Sequence, residues 1–381
     1  MSSLNPASKA LVRNYDHPVA VTGGAGFLGR EVVRQLQAAG CRDIRIIDLV
    51  PFTGAEATGV RAFQVDLRDG ELGEAMAGVK TVLHLAACQY HTPLARTTYE
   101  LPFYEVNVGG TERVLDAAER AGAERLVFVS TNMVYGLPQA RPLTEAHPCV
   151  PFGPYGGSKL QAEQLLERAH GRKLETAVVR PGLIVGPGRI GVIARIFDWV
   201  LKGSPIWLIG GGSNRYEMMA SEDVASLVLT VGRAQGHGVY NCAAKSVVPM
   251  REWIEAVIDK AHSRSRVVGI PAGPLKLAFR MLEQVRLSPL RKDQYLIADI
   301  DYYMDAALAQ RELGWTPVWG AKEAILATFR WYLTEQNNPR YAELIAELQP
   351  FAAAQAQVSN HGGTSAAQPP AVAEPRARDR N

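Results

Sequence analysis

Cysteine is scarce in this 381-residue chain, and Cys41, Cys88, Cys149 and Cys242 form neither a CxxC pair nor a Cys/His cluster. That scatter argues against a zinc site and a disulfide framework, and it suits reduced thiols in a cytoplasmic protein. Excess charge of one sign is lacking too. Against 41 Lys and Arg stand 38 Asp and Glu, a formal charge of +3, which supplies no basic stripe for nucleic acid. No window approaches the roughly 20 apolar residues that span a bilayer. The first twenty residues lack the apolar core of a secretory signal. The eight histidines form no cluster and are expected to take no role. With 47% apolar residues, the chain can bury a sizeable core, and its length accommodates one large α/β unit with a smaller one.

What is present is alternation. Short β-branched runs at 19–21, 45–48, 62–65, 81–85, 125–130 and 176–180 are interspersed with helical patterns at 27–39, 107–121 and 155–170. In the first helix Leu28, Val32, Val33 and Leu36 recur on one face. The runs VLHL and LVFV are apolar throughout, as strands covered on both faces are. The pattern predicts an α/β fold built on a doubly wound parallel sheet. From about Gly182 the rhythm loosens into helical segments at 190–202, 250–261 and 275–285, with brief strands at 206–209 and 239–242. Patterns at 308–313 and 322–333 close the ordered part. The expected division is a first domain at 15–181, to which later segments return, then a smaller interleaved C-terminal substrate domain at 182–340. Residues 350–381, rich in Ala, Gln, Pro and Arg, are expected to be disordered.

Thr22-Gly23-Gly24-Ala25-Gly26-Phe27-Leu28-Gly29 stands between the first strand and the first helix. Glycine answers two needs there: turn angles that a Cβ obstructs, and backbone amides that a diphosphate must approach closely. Gly29 then lets the helix settle on the strand. The context predicts that Gly23, Gly26, Phe27, Leu28 and Gly29 hold a dinucleotide, which makes the sheet Rossmann-type. Asp48 ends the second strand, nineteen positions after Gly29. A carboxylate there accepts hydrogen bonds from the adenosine ribose and repels a 2′-phosphate, so NAD is expected rather than NADP. Asp66 and Leu67, after the third strand, are candidates for the adenine.

Tyr155 and Lys159 lie four residues apart, hence one turn apart on one helix face. A free phenol, with a pKa of about 10, is a poor base at neutral pH. A neighbouring ammonium and a positive nicotinamide ring both favour the phenolate, so Tyr155 is expected to titrate towards working pH and to move a proton while hydride moves at the same carbon. Lys159 can also hold the nicotinamide ribose. Thr131 ends the fifth strand 24 residues earlier, at the carboxyl edge where parallel sheets bind ligands, and can orient the reacting oxygen.

Taken in order, TGGAGFLG (22–29), Asp48, Asp66-Leu67, HLAA (84–87), NVGGT (107–111), VSTNMVYG (129–136), PYGGSK (154–159), RPGLIVGPG (180–188), EDVA (222–225) and LGWTP (313–317) resemble the extended short-chain dehydrogenase/reductase family, also called the NAD-dependent epimerase/dehydratase family. The resemblance runs from Val19 to about Leu333. It implies that Leu85, Ala86 and Ala87 line the cofactor, that Asn107 supports it, and that Thr131, Tyr155 and Lys159 are catalytic. It also implies a homodimer formed through the helices that begin near Asn107 and Tyr155.

Within that family the departures narrow the chemistry. Sugar-nucleotide 4,6-dehydratases carry Asp-Glu after the catalytic Thr, where this chain has Asn132-Met133, so the acid that expels water is missing. Many nucleotide-sugar enzymes place an Arg for the diphosphate seven residues before the Asp of the EDVA-like motif. Tyr216 occupies that position, with Arg215 one residue earlier. Two activities are weighed. The first is NAD-dependent epimerisation of a nucleotide-activated sugar, supported by NVGGT, PYGGSK and LGWTP. The second is an NAD(P)-dependent alcohol dehydrogenase or ketone reductase resembling the 3β-hydroxysteroid group, supported by RPGLIVGPG. It draws too on the stripe Leu275, Phe279, Leu282 and Val285 beside Lys276, Arg280 and Arg286, a lid for a greasy substrate or a surface for membrane association over 275–287.

Overall fold

The computed structural model describes residues 14–90, 101–170, 174–189, 191–284 and 292–352. The expected tail lies almost wholly outside these residues, as does the far end of the 275–287 stripe. Ordered packing continues to Phe351, which rests on a core cluster around Phe197 and Trp253.

Seven parallel strands form the main sheet: β1 (Val19–Thr22), β2 (Ile44–Asp48), β3 (Val60–Gln64), β4 (Thr81–His84), β5 (Arg125–Val129), β6 (Glu175–Pro181) and, after three outside this sheet, β10 (Gly238–Cys242). Their order is β10-β6-β5-β4-β1-β2-β3. The direction of winding therefore reverses between β1 and β4, the crevice where such sheets take ligands. Central strands β1, β4 and β5 are buried along their whole length, whereas edge strand β3 is largely open.

Helices α1 (Phe27–Ala38), α2 (Gly73–Met76), α3 (Leu101–Tyr104), α4 (Gly110–Ala121) and α5 (Pro154–Ala169) connect the first six strands. A π-turn at Glu105–Gly109 joins α3 to α4. Pro154 opens α5 at a position whose N–H has no intrahelical partner. Gly122, with φ +69°, closes α4 in the left-handed conformation that glycine adopts without strain.

Beyond β6 come β7 (Leu183–Val185), α6 (Val192–Leu201), β8 (Ile206–Ile209), β9 (Met218–Ala220) and α7 (Ser221–Arg233). After β10 follow α8 (Met250–Lys260), β11 (Val267–Ile270), α9 (Ala272–Gln284), α10 (Lys292–Tyr295), α11 (Ala307–Leu313) and α12 (Ala321–Glu335). Two small parallel pairs, β7–β9 and β8–β11, lie outside the main sheet. The run at 239–242, expected among the brief strands after Gly182, is instead the seventh strand of the main sheet, paired with β6. Helix α7 packs across α1 on one sheet face, and α4 and α5 cover the other. Helix α9 buries no residue fully, and Leu277 and Met281 are exposed on it. No helix among the described residues is long and apolar enough to cross a membrane.

Candidate active site

The chain leaves β1 through Gly23, whose φ is +71°. A Cβ there would stand 2.6 Å from the Ala86 nitrogen, and one on Gly29 would run into the Gly23 carbonyl. The glycines thus let β1, the end of β4 and the start of α1 meet with bare backbone. At the N-terminus of α1, Gly26 offers no capping side chain and the first turn holds no acid. The amides of Phe27, Leu28 and Gly29 are left without intrahelical acceptors, which suits a diphosphate. Asp48 holds the loop from the far side: one carboxylate oxygen accepts from Ala25 N–H at 2.9 Å and the other from Val50 N–H at 3.2 Å. Asp66 is paired with Arg68 at 2.6 Å, and Leu67 is buried against Gly110.

On the other side of the crevice, Leu85 and Ala86 donate their N–H groups to the Thr22 carbonyl and hydroxyl, and Ala87 continues the half-buried strand end. Asn107 is buried, and its side chain accepts from Cys88 N–H at 2.7 Å and donates to Ser158 Oγ at 2.9 Å. Ser158 in turn donates to the Tyr155 carbonyl at 2.9 Å. Asn107 therefore clamps the segment after β4 to the first turn of α5.

Thr131 caps the short turn Asn132–Tyr135 by accepting from Met133 N–H at 3.2 Å. Its side chain also lies near enough to the Tyr155 phenol to favour the ionised form, which brings two of the three expected catalytic groups together. Lys159 lies one turn further along α5, its ammonium 3.8 Å from the centroid of the Phe128 ring. Burial pulls its pKa down to about 7, opposed by Glu163. The Lys159 ammonium alone does not bring the expected lowering of the Tyr155 phenol. Burial pushes it up to about 12, and the cation that opposes this is Arg189.

The model of the NAD dependent epimerase/dehydratase family matches residues 19–243. The chain belongs to that family. A protein of Sinorhizobium fredii, y4nG, is 34% identical over 82% of this chain and 78% of its own. The 4-hydroxy-2-methyl-3-oxo-4-farnesyl-3,4-dihydroquinoline-1-oxide ketoreductase of Stigmatella aurantiaca is 32% identical over 77% of this chain and 90% of its own. The 3 beta-hydroxysteroid dehydrogenase/Delta 5-->4-isomerase of Mycobacterium tuberculosis is 28% identical over 87% and 96%. Among solved structures, MoeE5 in complex with UDP-glucose and NAD superposes with a TM-score of 0.69 at 27% identity, covering 84% of this chain and 99% of its own. NAD is the cofactor of this family of enzymes, and the bare glycine cradle with its uncapped helix fits it.

Around the phenol, this member of the family is aromatic. The Tyr155 ring lies 5.5 Å from that of Tyr90 and 6.2 Å from that of Phe103. Asn132, which follows Thr131, is buried with its side-chain nitrogen unpartnered among the described residues. Tyr216 is half-buried and stacked on Tyr302 at 5.8 Å. Arg215 points elsewhere, paired with Asp301 at 2.9 Å and resting over Tyr303 at 4.6 Å. Sequence reasoning missed His84, Ser158 and Arg189. HLAA, PYGGSK and the glycine-rich stretch after β7 contain or adjoin them, but their contacts are tertiary.

Proposed function

We propose that this enzyme uses NAD to interconvert a secondary alcohol and its ketone on a bulky, mainly apolar substrate. The observation that carries the reading is Tyr216. It stacks on Tyr302 at the position where the family resemblance implies, for many nucleotide-sugar enzymes, an arginine for the diphosphate, and the adjacent Arg215 is engaged by Asp301 and Tyr303. The aromatic surroundings of Tyr155 and the names of the Stigmatella and Mycobacterium relatives support it further.

Burial pushes the phenol up to about 12, so that it holds a proton to give in the reducing direction and takes it back in the reverse one. Tyr155 then acts as general acid, giving its proton to the carbonyl oxygen, while the Thr131 hydroxyl orients that oxygen. Bound NADH supplies the hydride. Lys159 and the Asn107–Ser158 clamp keep the phenol in line. Asp48 favours NAD over NADP by repelling a 2′-phosphate.

A second reading, epimerisation of a nucleotide-activated sugar, is supported by the likeness to MoeE5. The two differ in redox balance. With NADH and a panel of cyclic and isoprenoid ketones, we expect cofactor consumption equal to alcohol formed, and no conversion of UDP- or dTDP-sugars. Inert ketones together with a sugar epimerised at constant nicotinamide absorbance would replace this reading by the second.

A further inference from the structure

We propose that Arg189 is the cationic anchor for the diphosphate of the bound dinucleotide, a contact added to the backbone cradle; the inference rests on the cofactor and not on which substrate is reduced. The segment that carries it lies against the cradle itself. Gly186, at φ +149°, and Gly188, at φ +90°, take conformations that L side chains rarely adopt. Their backbone passes so close to Phe27 that Cβ atoms would stand 3.3 and 3.4 Å from its ring. Arg189 N–H then donates to the Gly186 carbonyl at 3.1 Å, and the guanidinium comes to 5.8 Å from the centroid of the Phe27 ring. Phe27 is the first residue of α1, at the uncapped end suited to an anion. The same guanidinium is also near enough to act on the Tyr155 phenol. A dinucleotide laid from the cradle to that phenol passes Arg189.

Charge accounting points the same way. Arg189 is half-buried, and burial disfavours its charged form with only the Tyr155 phenol attracting it. A desolvated cation without a carboxylate is costly until an anion joins it. The guanidinium groups on α1 itself are already engaged, Arg30 by the Thr53 carbonyl and Glu56, Arg34 by Glu31. Among the described residues, Arg189 is thus the cation at the cradle with no acidic partner. A planar guanidinium offers a diphosphate two parallel donors. A nucleotide-sugar substrate would bring a diphosphate as well, but the contact with Phe27 favours that of the cofactor.

The test uses the full chain and needs no substrate. NADH and ADP-ribose are titrated by fluorescence and calorimetry against wild type, Arg189→Gln and Arg189→Lys, with UDP as the competing source of diphosphate. We expect Arg189→Gln to weaken NADH and ADP-ribose about tenfold or more, with a flatter salt dependence, and Arg189→Lys to recover part of the loss. In wild type, ADP-ribose should protect Arg189 from phenylglyoxal, as mapped by mass spectrometry, and UDP should not; this arm stands if a variant fails to fold. Unchanged NADH and ADP-ribose affinities in Arg189→Gln, or protection and affinity changes confined to UDP, would overturn the assignment.

Discussion

His84 accepts a hydrogen bond from Thr22, 2.5 Å from Oγ1 to Nδ1, across the paired ends of β1 and β4. Its other nitrogen lies 2.9 Å from the Thr111 hydroxyl, whose own hydrogen goes to the Asn107 carbonyl at 2.7 Å. Thr111 can then only accept, so Nε2 carries the proton and the ring is neutral, consistent with burial pulling its pKa down to about 3. Through Asn107 and Ser158 this line of bonds joins the strand that leads into the glycine loop to the backbone of Tyr155. Replacing His84 by Phe leaves Thr22 and Thr111 each short of a buried partner. We expect a loss of about 2 kcal/mol in unfolding free energy, with weaker NADH binding, measured by urea titration and fluorescence. A variant as stable as wild type would show that the bridge holds nothing together.

Tyr155→Phe removes the phenolic proton but keeps the ring against Tyr90 and Phe103. The reduction rate should fall about a hundredfold or more, while NADH affinity stays at the wild-type value. Turnover at the wild-type rate would take Tyr155 out of the chemistry.

Asp48 has two duties that mutation can separate. Its carboxylate supports Ala25 and Val50 and is proposed to meet the adenosine ribose. Asp48→Asn keeps an acceptor for the loop but drops the charge that repels a 2′-phosphate. The ratio of NADPH to NADH dissociation constants should shrink by about tenfold, measured by quenching of intrinsic fluorescence. An unaltered ratio would mean that another group selects the cofactor.

Much of this organisation is legible in the chain because it is written in local chemistry. VLHL and LVFV announce buried strands, and the glycine loop announces a cradle. Thr131, Tyr155 and Lys159 occur in the order that a parallel sheet brings to one edge. The rest depends on contacts that local pattern does not carry. Helix α7 goes unread although Val224, Leu227, Val228 and Val231 stand at i, i+3, i+4 and i+7 on its buried side; what local pattern does not carry is that this side packs across α1. The run at 239–242 has the composition of a strand, yet its partner β6 is some sixty positions away. The histidines were expected to take no role, and His84 acquires one only once β1, β4 and α4 converge. The expected lowering of the phenol draws on its lysine and on a bound nicotinamide, whereas the depth of burial that opposes them is a property of the folded chain.

Glu217 provides a pH test of the packing beside β7 and β9. Its carboxylate accepts from Ala244 N–H at 2.8 Å and from Met304 N–H at 2.9 Å, yet burial outweighs those bonds and pushes its pKa from 4.5 up to about 7. The folded chain thus holds a proton that the unfolded chain releases above the ordinary carboxyl value. The stability this group contributes is fully present below the unfolded pKa and is lost as pH rises through the folded one. At 1.36 kcal/mol per pKa unit, the loss is on the order of 3 kcal/mol. Urea unfolding at pH 5 and pH 8 should show wild type weakening across the interval. Glu217→Gln should begin lower, since its amide nitrogen faces one of the two N–H donors, but decline less. Parallel declines in both proteins would mean that Glu217 is ionised at either pH and that water reaches it.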